Sequence, residues 1–411
     1  MTAIAPGRLG APAPDRPWRL PAGMAEQALL VCGLVATAQI TWGAIVPGLP
    51  ELGQAFGLTS FALGAVVSAF GVGRLLANIP AGVLADRHGP RALLFGAAGA
   101  LAVVTALTGF VASLPVLLTL RVVSGALGGT VVTVGLAMLA ARTPAHARGT
   151  VLATAQAVQL AGAAFGPVIG GVVLSAWGLR AVFLVAAVPV AAWLGWTWWR
   201  HDRSYWAPVP SSAAGGPGAQ VRLSRQAVLA VVGANVVGFA VFVARFGGEQ
   251  TLAPLLARDV GLDARGLGAA MAAVTVLSLA AMPLTARALD AGLRRRLMVP
   301  AMGLGAVAIV LYPLAQGPWV FAALLVVAGA CVTFGGIVPG VVLADVVPAS
   351  RQGRATGAFR TVGDLGAVVG PLALGWALDA SGTVAAAALL AGVVALAAVA
   401  GLVLVRVARP R

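Results

Sequence analysis

The chain has 411 residues, of which 60% are hydrophobic and 9% are charged, and it carries a formal net charge of +15. A soluble globular protein is nearer to about 45–50% apolar and about 25% charged, so this composition excludes a water-soluble fold and indicates a protein embedded in lipid. The sequence contains no lysine and therefore lacks the lysine of a phosphate-binding loop, which argues against ATP-driven chemistry. It contains no cluster of metal-ligating side chains either, so we predict no metal, no cofactor and no enzymatic activity.

Apolar stretches long enough to cross a bilayer recur along the whole chain. A hydrocarbon core of about 30 Å needs roughly 20 helical residues to cross it. We therefore predict an all-α membrane protein with twelve transmembrane helices arranged as two six-helix bundles. The predicted spans lie near residues 26–47, 62–84, 92–112, 114–139, 150–174, 180–199, 226–246, 266–287, 297–314, 318–343, 355–378 and 383–405.

The arginines are distributed unequally between the two sides of the predicted membrane. An even number of spans places both termini on one side, and that side carries nearly all of them, while the other side carries only Arg180, Arg258 and Arg265. Basic loops mark the cytoplasmic side, so both termini are predicted to be cytoplasmic. We expect a multi-pass protein of the bacterial inner membrane that contacts anionic lipid rather than nucleic acid.

One polar segment, at residues 200–225, divides the apolar chain into two parts. It is rich in Pro, Gly and Ser, a composition typical of a flexible linker. The predicted organisation is a disordered tail at 1–24, a first bundle at 25–199, the linker at 200–225, a second bundle at 226–406 and a short tail at 407–411.

Motifs of the first half recur in the second half at one constant offset. Gly162-x-x-x-Gly166-Pro167 recurs as Gly366-x-x-x-Gly370-Pro371, and the difference between positions 366 and 162 is 204 residues. The same offset relates Asp86 and Arg91 to Asp290 and Arg295. A repeat of this kind predicts two bundles related by an axis along the membrane normal, with a central site that opens to one side at a time.

Several of these motifs resemble those of the major facilitator superfamily. The stretch GVLADRHGPR from Gly82 to Arg91 is similar to the family's signature loop between helices 2 and 3, with Pro90 where a basic residue is usual. Residues 121–125, RVVSG, resemble the helix 4 motif, and residues 47–50, PGLP, resemble the end of helix 1 in the twelve-span drug exporters. Residues 162–171 resemble the helix 5 motif of drug:proton antiporters, although Ala153 stands where the longer motif begins with Gly.

The resemblance implies a secondary active transporter that exports small lipophilic molecules in exchange for protons, by alternating access. An importer of a metabolite on the same fold is the main alternative, and a sensor that does not transport is a further one. The expected partners are a small-molecule substrate, protons and the lipid bilayer. Twelve spans require no second copy, so a monomer is predicted.

The charged loop after the second span is predicted to act as a gating latch. The resemblance implies that Asp86 docks on the start of helix 11, near Arg354–Gly357, when the cytoplasmic side is closed, and the repeat places Asp290 at the start of helix 5. Alternatively, the arginines of this loop only fix the orientation of the protein in the membrane. The latch residues are Gly82, Asp86, Arg87, Gly89, Arg91, Asp290 and Arg295.

Few ionisable residues lie within the predicted spans, and those that do are functional candidates. Asp364 is the first candidate proton carrier; alternatively it pairs with Arg360 one turn away, or with an arginine of another helix. Arg121 is a second candidate, because the resemblance links this position to proton coupling. Arg245 and Glu249 form another predicted pair near the outer end of helix 7, beside two glycines that could break that helix and form an outer gate. Alternatively, this pair lies at the membrane interface and is in contact with water.

The remaining candidates concern the substrate cavity and helix packing. Small residues spaced by four place Gly162, Gly166 and Gly170 on one stripe where another helix can approach closely. This stripe, with Pro167 and Gly171, serves either ordinary tight packing of helices or a seam between the halves. The same two alternatives apply to Gly366, Gly370 and Pro371 in helix 11. Each cavity candidate could equally serve ordinary helix packing. The cavity candidates are Gln39, Thr41, Trp42, Arg74, Asn78, Gln156, Gln159, Asn235, Phe239, Phe242, Thr275 and Thr333.

Overall fold

A computed structural model describes residues 22–207 and 225–407, and almost all of these residues are helical. Most of the predicted tails and of the predicted linker lies outside the described residues, but residues 22–24 of the predicted first tail belong to the first helix and residue 407 of the second belongs to the last helix. A π-helical segment, Val243–Leu252, joins α7 to α8. The helices are α1 Ala22–Gly43, α2 Leu49–Phe56, α3 Ser60–His88, α4 Pro90–Thr108, α5 Leu114–Arg142, α6 Ala145–Arg200, α7 Arg225–Phe242, α8 Ala253–Asp259, α9 Ala264–Asp290, α10 Arg294–Val310, α11 Pro318–Val346 and α12 Ala349–Val407.

Two of these helices each supply two membrane crossings. Gly178 in α6 and Gly382 in α12 have φ angles of 79° and 78°, a conformation that side chains other than glycine rarely adopt. Each glycine ends one crossing and begins the next. With these divisions, and with the shorter apolar helix at Arg296–Val310, the described part of the chain contains twelve crossings. The predicted all-α fold of two six-helix bundles is confirmed.

The glycine stripe of the first part of α6 packs on α1 of the same half. A Cβ atom at Gly162 would meet the carbonyl of Ala36, and one at Gly170 would meet the carbonyl of Ala44, while Gly166 faces Gly43. Of the two alternatives for this stripe, ordinary tight packing is therefore the one that these contacts support, and the seam between the halves is wrong for these three glycines. Residues spaced by four share one helix face, and the sequence does not reveal which neighbour that face meets.

The corresponding glycines of α12 also pack within their own half. Gly366 lies against the carbonyl of Phe239, and Gly370 lies against Val243 and Gly247 of the π-helical segment. Gly366 and Gly370 thus also serve ordinary helix packing, and the alternative of a seam between the halves is wrong for them. The close approach explains why glycine is needed there, since any side chain would collide with backbone atoms.

The contact between the halves uses adjacent faces of the same helices. In the seam between α6 and α9, Gly171 has no room for a Cβ beside the carbonyl of Ala264, and Gly268 has none beside the carbonyl of Pro167. Pro167 and Gly171 therefore do lie between the halves, as predicted.

The second seam, between α3 and α12, repeats the first with the 204-residue offset. Gly375 faces the carbonyl of Ser60, and Gly64 faces the carbonyl of Pro371. These four residues are the repeat equivalents of Gly171, Ala264, Gly268 and Pro167. The predicted internal repeat is thus expressed in matching contacts on opposite sides of the molecule.

Both seams lie near one face of the membrane. Ser60 begins α3 beside a seam, whereas the charged loop at Asp86 ends α3 at the opposite face. We call these the arginine-poor face and the arginine-rich face. At the arginine-rich face a Cβ at Gly82 or Gly357 would meet no atom within 4 Å. The halves are therefore packed together at the arginine-poor face and apart beside α3 and α12 at the arginine-rich face.

The beginning of the predicted linker folds back onto the first half. Gln27 of α1 accepts hydrogen bonds from the Nε1 of Trp206 at 2.8 Å and from the backbone N–H of Asp202 at 3.0 Å. Arg200 forms an ion pair with Glu26 at 2.7 Å, and Trp206 is fully buried. Residues 201–207 thus belong to the first half rather than to a free linker.

We predict that Gly162→Ala lowers the free energy of unfolding by about 1–3 kcal/mol, because the new methyl group overlaps the Ala36 backbone. Gly96→Ala is the matched control, since a Cβ there meets no atom within 4 Å, and it should be neutral or stabilising. Thermal unfolding of the detergent-purified variants measures both. Equal melting temperatures for the two variants would contradict the packing described above.

Candidate functional site

A cavity of about 670 Å³ lies between the halves and reaches toward the arginine-rich face. Residues of α3 and α5 form one wall and residues of α12 form the other. Thr356, Gly357 and Thr361 on the α12 wall are exposed, and the cavity ends at Asp364, about two turns deeper. Most of its lining side chains are polar or charged, and Val132 is among the few apolar ones.

Asp364 is held at the inner end of this cavity by two side chains from the opposite half. Its carboxylate is 3% exposed, one oxygen pairs with the guanidinium of Arg74 at 2.9 Å, and the other accepts a hydrogen bond from Asn78 at 2.7 Å. Thr133 donates a 3.4 Å hydrogen bond to the Oδ1 of Asn78. The acid therefore has its partners on another helix, which is one of the alternatives that the sequence left open.

Arg360 is not the partner of Asp364, and the predicted pair within one helix is wrong. Although the two residues are one turn apart, Arg360 forms no ion pair in the described part of the chain. Its side chain lines the cavity instead. Arg74 approaches Asp364 from α3, because the close packing of α3 on α12 at Gly71 and Gly64 brings the two helices together.

Arg121 is buried against an aromatic ring rather than against an acid. It is 4% exposed, and its guanidinium lies over the ring of Phe70 at 5.1 Å from the centroid, which is a cation–π contact. Among the residues that the structure describes, Arg121 makes no ion pair. The role of Arg121 in proton coupling stays a prediction.

Four stacked aromatic rings cross the boundary between the halves deeper than the cavity. Trp42 stacks on Phe70 at 5.8 Å and on Phe246 at 5.0 Å, and Phe246 stacks on Phe242 at 5.9 Å. The guanidinium of Arg74 lies 6.0 Å from the Phe246 ring centroid. The stack therefore lies next to the ion pair and separates it from the arginine-poor face. Trp42 and Phe242 were predicted to line the cavity, but the sequence gives no indication that they belong to one stack of aromatic rings.

Glu249 and Arg245 lie in the closed part of the molecule. They line a small enclosed space of about 20 Å³ together with Trp42, Gln250 and Thr275. The two glycines at 247 and 248 do not break the helix, because Val243–Leu252 continues as a π-helix. The predicted helix break and the predicted wet interfacial position are therefore wrong.

The π-helix also explains why Arg245 and Glu249 form no ion pair within the described residues. Hydrogen bonds in a π-helix join residues five apart, so the side chain four positions on no longer lies directly above its neighbour. Within this segment Gly247 lies close to the backbone of Gly370 in α12, where a Cβ atom would not fit.

Most other cavity candidates are not brought together. The hydroxyls of Thr41, Thr275 and Thr333 donate to backbone carbonyls of their own helices, as does the amide of Asn235. Gln39 is buried, Gln156 is exposed, and Gln159 and Phe239 are half-buried. Only Arg74 and Asn78 among the candidates line the large cavity.

The latch residues lie at the open face. Asp86 and Arg87 are exposed, Gly89 separates α3 from α4 with a φ angle of 82°, and Arg91 lies over the rings of Phe95 and Trp198. The side chains of Asp290 and Arg295 lie outside the described residues, as do those of residues 351–354 at the start of α12. The latch therefore stays a prediction.

The family model of the major facilitator superfamily matches residues 31–251 and 236–411. The chain therefore belongs to the major facilitator superfamily, and it is a multi-pass secondary transporter of small molecules. It is 30% identical over 306 residues to the multidrug resistance protein MdtG of Dickeya zeae, with 73% of each chain covered. A second relative, MdtG of Rahnella sp., is 27% identical over 312 residues, again covering 73% of each chain.

Solved structures support the same fold. The inward open conformation of the xylose transporter XylE from E. coli superposes with a TM-score of 0.73 at 16% identity, covering 92% of this chain and 95% of the other. A bacterial homologue of the lysosomal transporter Spinster, in an inward-facing and occupied conformation, superposes with a TM-score of 0.71 at 14% identity, covering 95% and 97%. At these identities the likeness concerns the fold alone.

We predict that Asp364→Asn lowers the free energy of unfolding by about 3 kcal/mol, because it leaves the charge of Arg74 without its partner. The double variant Arg74→Gln with Asp364→Asn should recover most of that loss, since no buried charge then remains unpaired. The experiment is a double-mutant cycle, in which thermal unfolding is measured for the wild type, both single variants and the double variant. Additive effects of the two substitutions would contradict the ion pair.

Proposed function

We propose that this protein exports small lipophilic molecules from the bacterial cytoplasm in exchange for protons. The observation that carries the proposal is Asp364, a buried carboxylate at the end of the large cavity that is bound to Arg74 and Asn78 of the other half. A protonatable group in that position is reached from the cavity and also takes part in the contact between the halves. The similarity to proteins named for multidrug resistance supports the substrate class and the direction.

The proposed orientation puts the arginine-rich face in the cytoplasm, as the distribution of basic residues favours. The conformation is then inward-facing, with the cavity open to the cytoplasm and both glycine seams closed on the outside. The proposed location is the bacterial inner membrane, with both termini in the cytoplasm and a single chain as the working unit.

In the proposed mechanism, protonation of Asp364 changes the attraction between the two halves. While the carboxylate is charged, it attracts Arg74 across the halves and stabilises the packing of α3 on α12. A proton removes this attraction and so changes the relative stability of the two conformations. A substrate in the cavity would compete with the proton for the same few polar side chains, and such competition is the condition for exchange.

A proton-flux assay tests the proposal. The purified protein is placed in liposomes containing a pH-sensitive dye, a proton gradient is imposed, and lipophilic cations, neutral drugs and anionic metabolites are added in turn. We expect at least one lipophilic compound to trigger proton movement, and Asp364→Asn to reduce its rate at least about tenfold, as for the loss of a coupling group.

Asp259→Asn is the matched control, because Asp259 is an exposed carboxylate at the arginine-poor face and its variant should keep the wild-type rate. Proton flux that persists in Asp364→Asn would move the coupling role to Arg121 or Glu249. Compound transport without proton movement would refute proton exchange, and proton movement driven by an anionic metabolite in the same direction would favour the importer.

Closure of the cytoplasmic side gives a second prediction. The space beside Gly82 is open in this conformation, and the family resemblance implies close approach of helix 11 there when that side closes. Gly82→Leu should therefore fold normally but reduce transport strongly, because the side chain occupies the closing gap. Gly96→Leu is the control, since it adds the same bulk in an open position of α4. Wild-type transport by Gly82→Leu would exclude close approach at this residue.

A further inference from the structure

The outer end of the seam between α3 and α12 is joined by a carboxylate that the sequence analysis did not single out. The two oxygens of Asp379 accept hydrogen bonds from the backbone N–H groups of Ser60 and Phe61, at 2.9 Å and 2.8 Å. Thr59 supplies the ordinary cap of the same helix, because its hydroxyl accepts from the N–H of Ala62 at 3.2 Å. Asp379 thus binds the first N–H groups of α3, which no residue of α3 satisfies.

This contact is specific to one conformation. The first N–H groups of a helix lack partners within the helix, and they carry a partial positive charge that attracts a carboxylate. Ser60 and Phe61 belong to the first half and Asp379 belongs to the second half. The hydrogen bonds therefore exist only while the halves are packed together at the arginine-poor face, and they break when that face opens.

The two helices that Asp379 joins run in opposite directions. α3 begins at the arginine-poor face and ends at Asp86, whereas the first part of α12 begins at the arginine-rich face and ends near Asp379. Each helix therefore carries a carboxylate near its C-terminal end, next to the N-terminus of its partner. Asp379 is bound in this conformation, whereas Asp86 is exposed and forms no ion pair within the described residues.

The other seam is built differently at the same level. The repeat equivalent of Asp379 is Ser175, whose hydroxyl accepts a hydrogen bond from the side chain of Arg265. The N-terminus of α9 is capped by its own Asp263, which accepts from the N–H of Gly266 at 2.8 Å. In the part of the chain that the structure describes, only the α3–α12 seam has a carboxylate of one half on a helix N-terminus of the other.

We propose that Asp379 is a gating residue that holds the arginine-poor face closed, and that it acts in alternation with Asp86 at the opposite end of the same two helices. When Asp379 is bound, the arginine-poor face is closed and the cavity faces the arginine-rich side. When the halves separate at the arginine-poor face, the arginine-rich face closes and Asp86 binds the start of α12. This inference rests on the alternating access of the proposed function, but it does not depend on protons or on the identity of the substrate.

Distances between spin labels test this inference without any transport assay. One pair, Ser113→Cys with Gln316→Cys, reports on the arginine-poor face, and another, Ala141→Cys with Ala291→Cys, reports on the arginine-rich face; all four positions are exposed. Both pairs are placed in the full chain carrying Cys32→Ala and Cys331→Ala. Thermal unfolding of each labelled variant verifies that it is folded.

We expect Asp379→Asn to raise the ratio of outward-open to inward-open molecules by about tenfold, since an amide accepts one of the two hydrogen bonds and opposes the other. Asp379→Glu should restore part of the wild-type ratio. Asp86→Asn should shift the ratio the other way, and the double variant should lie between the two. Asp263→Asn is the matched control, because an asparagine also caps a helix, and it should leave the ratio unchanged.

An unchanged ratio in Asp379→Asn, or a shift in the same direction as Asp86→Asn, would overturn the inference. Failure of the proposed function is a separate result. A shift of the distances together with the absence of proton flux would reject proton exchange and leave the gating role of Asp379 in place.

Discussion

Close contact between glycines and backbone carbonyls determines how the helices of this protein can be arranged. Lipid provides no hydrophobic force between helices, so association depends on tight packing and polar contacts. At the arginine-poor face, Gly171 and Gly375 lie directly against the backbone of the opposite half. At the arginine-rich face, Gly82 and Gly357 lie beside open space. The same kind of surface is therefore engaged at one face and free at the other, as a transporter with two alternative closures requires.

The internal repeat is present in the scaffold but absent from the charged centre. The packing glycines recur at the 204-residue offset with matching partners. The repeat equivalents of Arg74, Asn78 and Asp364 are Ser278, Met282 and Leu160, which cannot form an ion pair. One seam thus combines packing with an ion pair, whereas the corresponding positions of its counterpart carry no charged side chain. Symmetry supplies the two packed halves, and the loss of symmetry at the centre leaves the ion pair of Arg74 with Asp364 in one seam only, among the residues that the structure describes.

The sequence predicted the features that depend on composition and spacing along one chain. Twelve spans, two halves and a buried acid at Asp364 follow from hydropathy, the repeat and the scarcity of charge. The partner of Asp364 did not follow, because spacing identifies Arg360 one turn away but gives no information about the helix alongside. The glycine stripe had the same limit, since periodicity defines a face without defining its neighbour. The π-helix at 243–252 was missed because hydropathy and residue spacing do not distinguish a π-helix from an α-helix.

In the mechanism proposed above, the charged contacts along the α3–α12 seam let this one seam control the transport cycle. Asp379 lies at one end of this seam, the pair of Arg74 with Asp364 lies at its middle, and Asp86 lies at the other end. Rocking of the halves changes the distances at the two ends in opposite senses, so the end contacts distinguish the two conformations. The middle contact lies at the cavity, where substrate and solvent reach it. A change of charge at Asp364 therefore acts on the same pair of helices whose ends decide which face is closed, and no longer pathway through the protein is needed to connect the site to the gates.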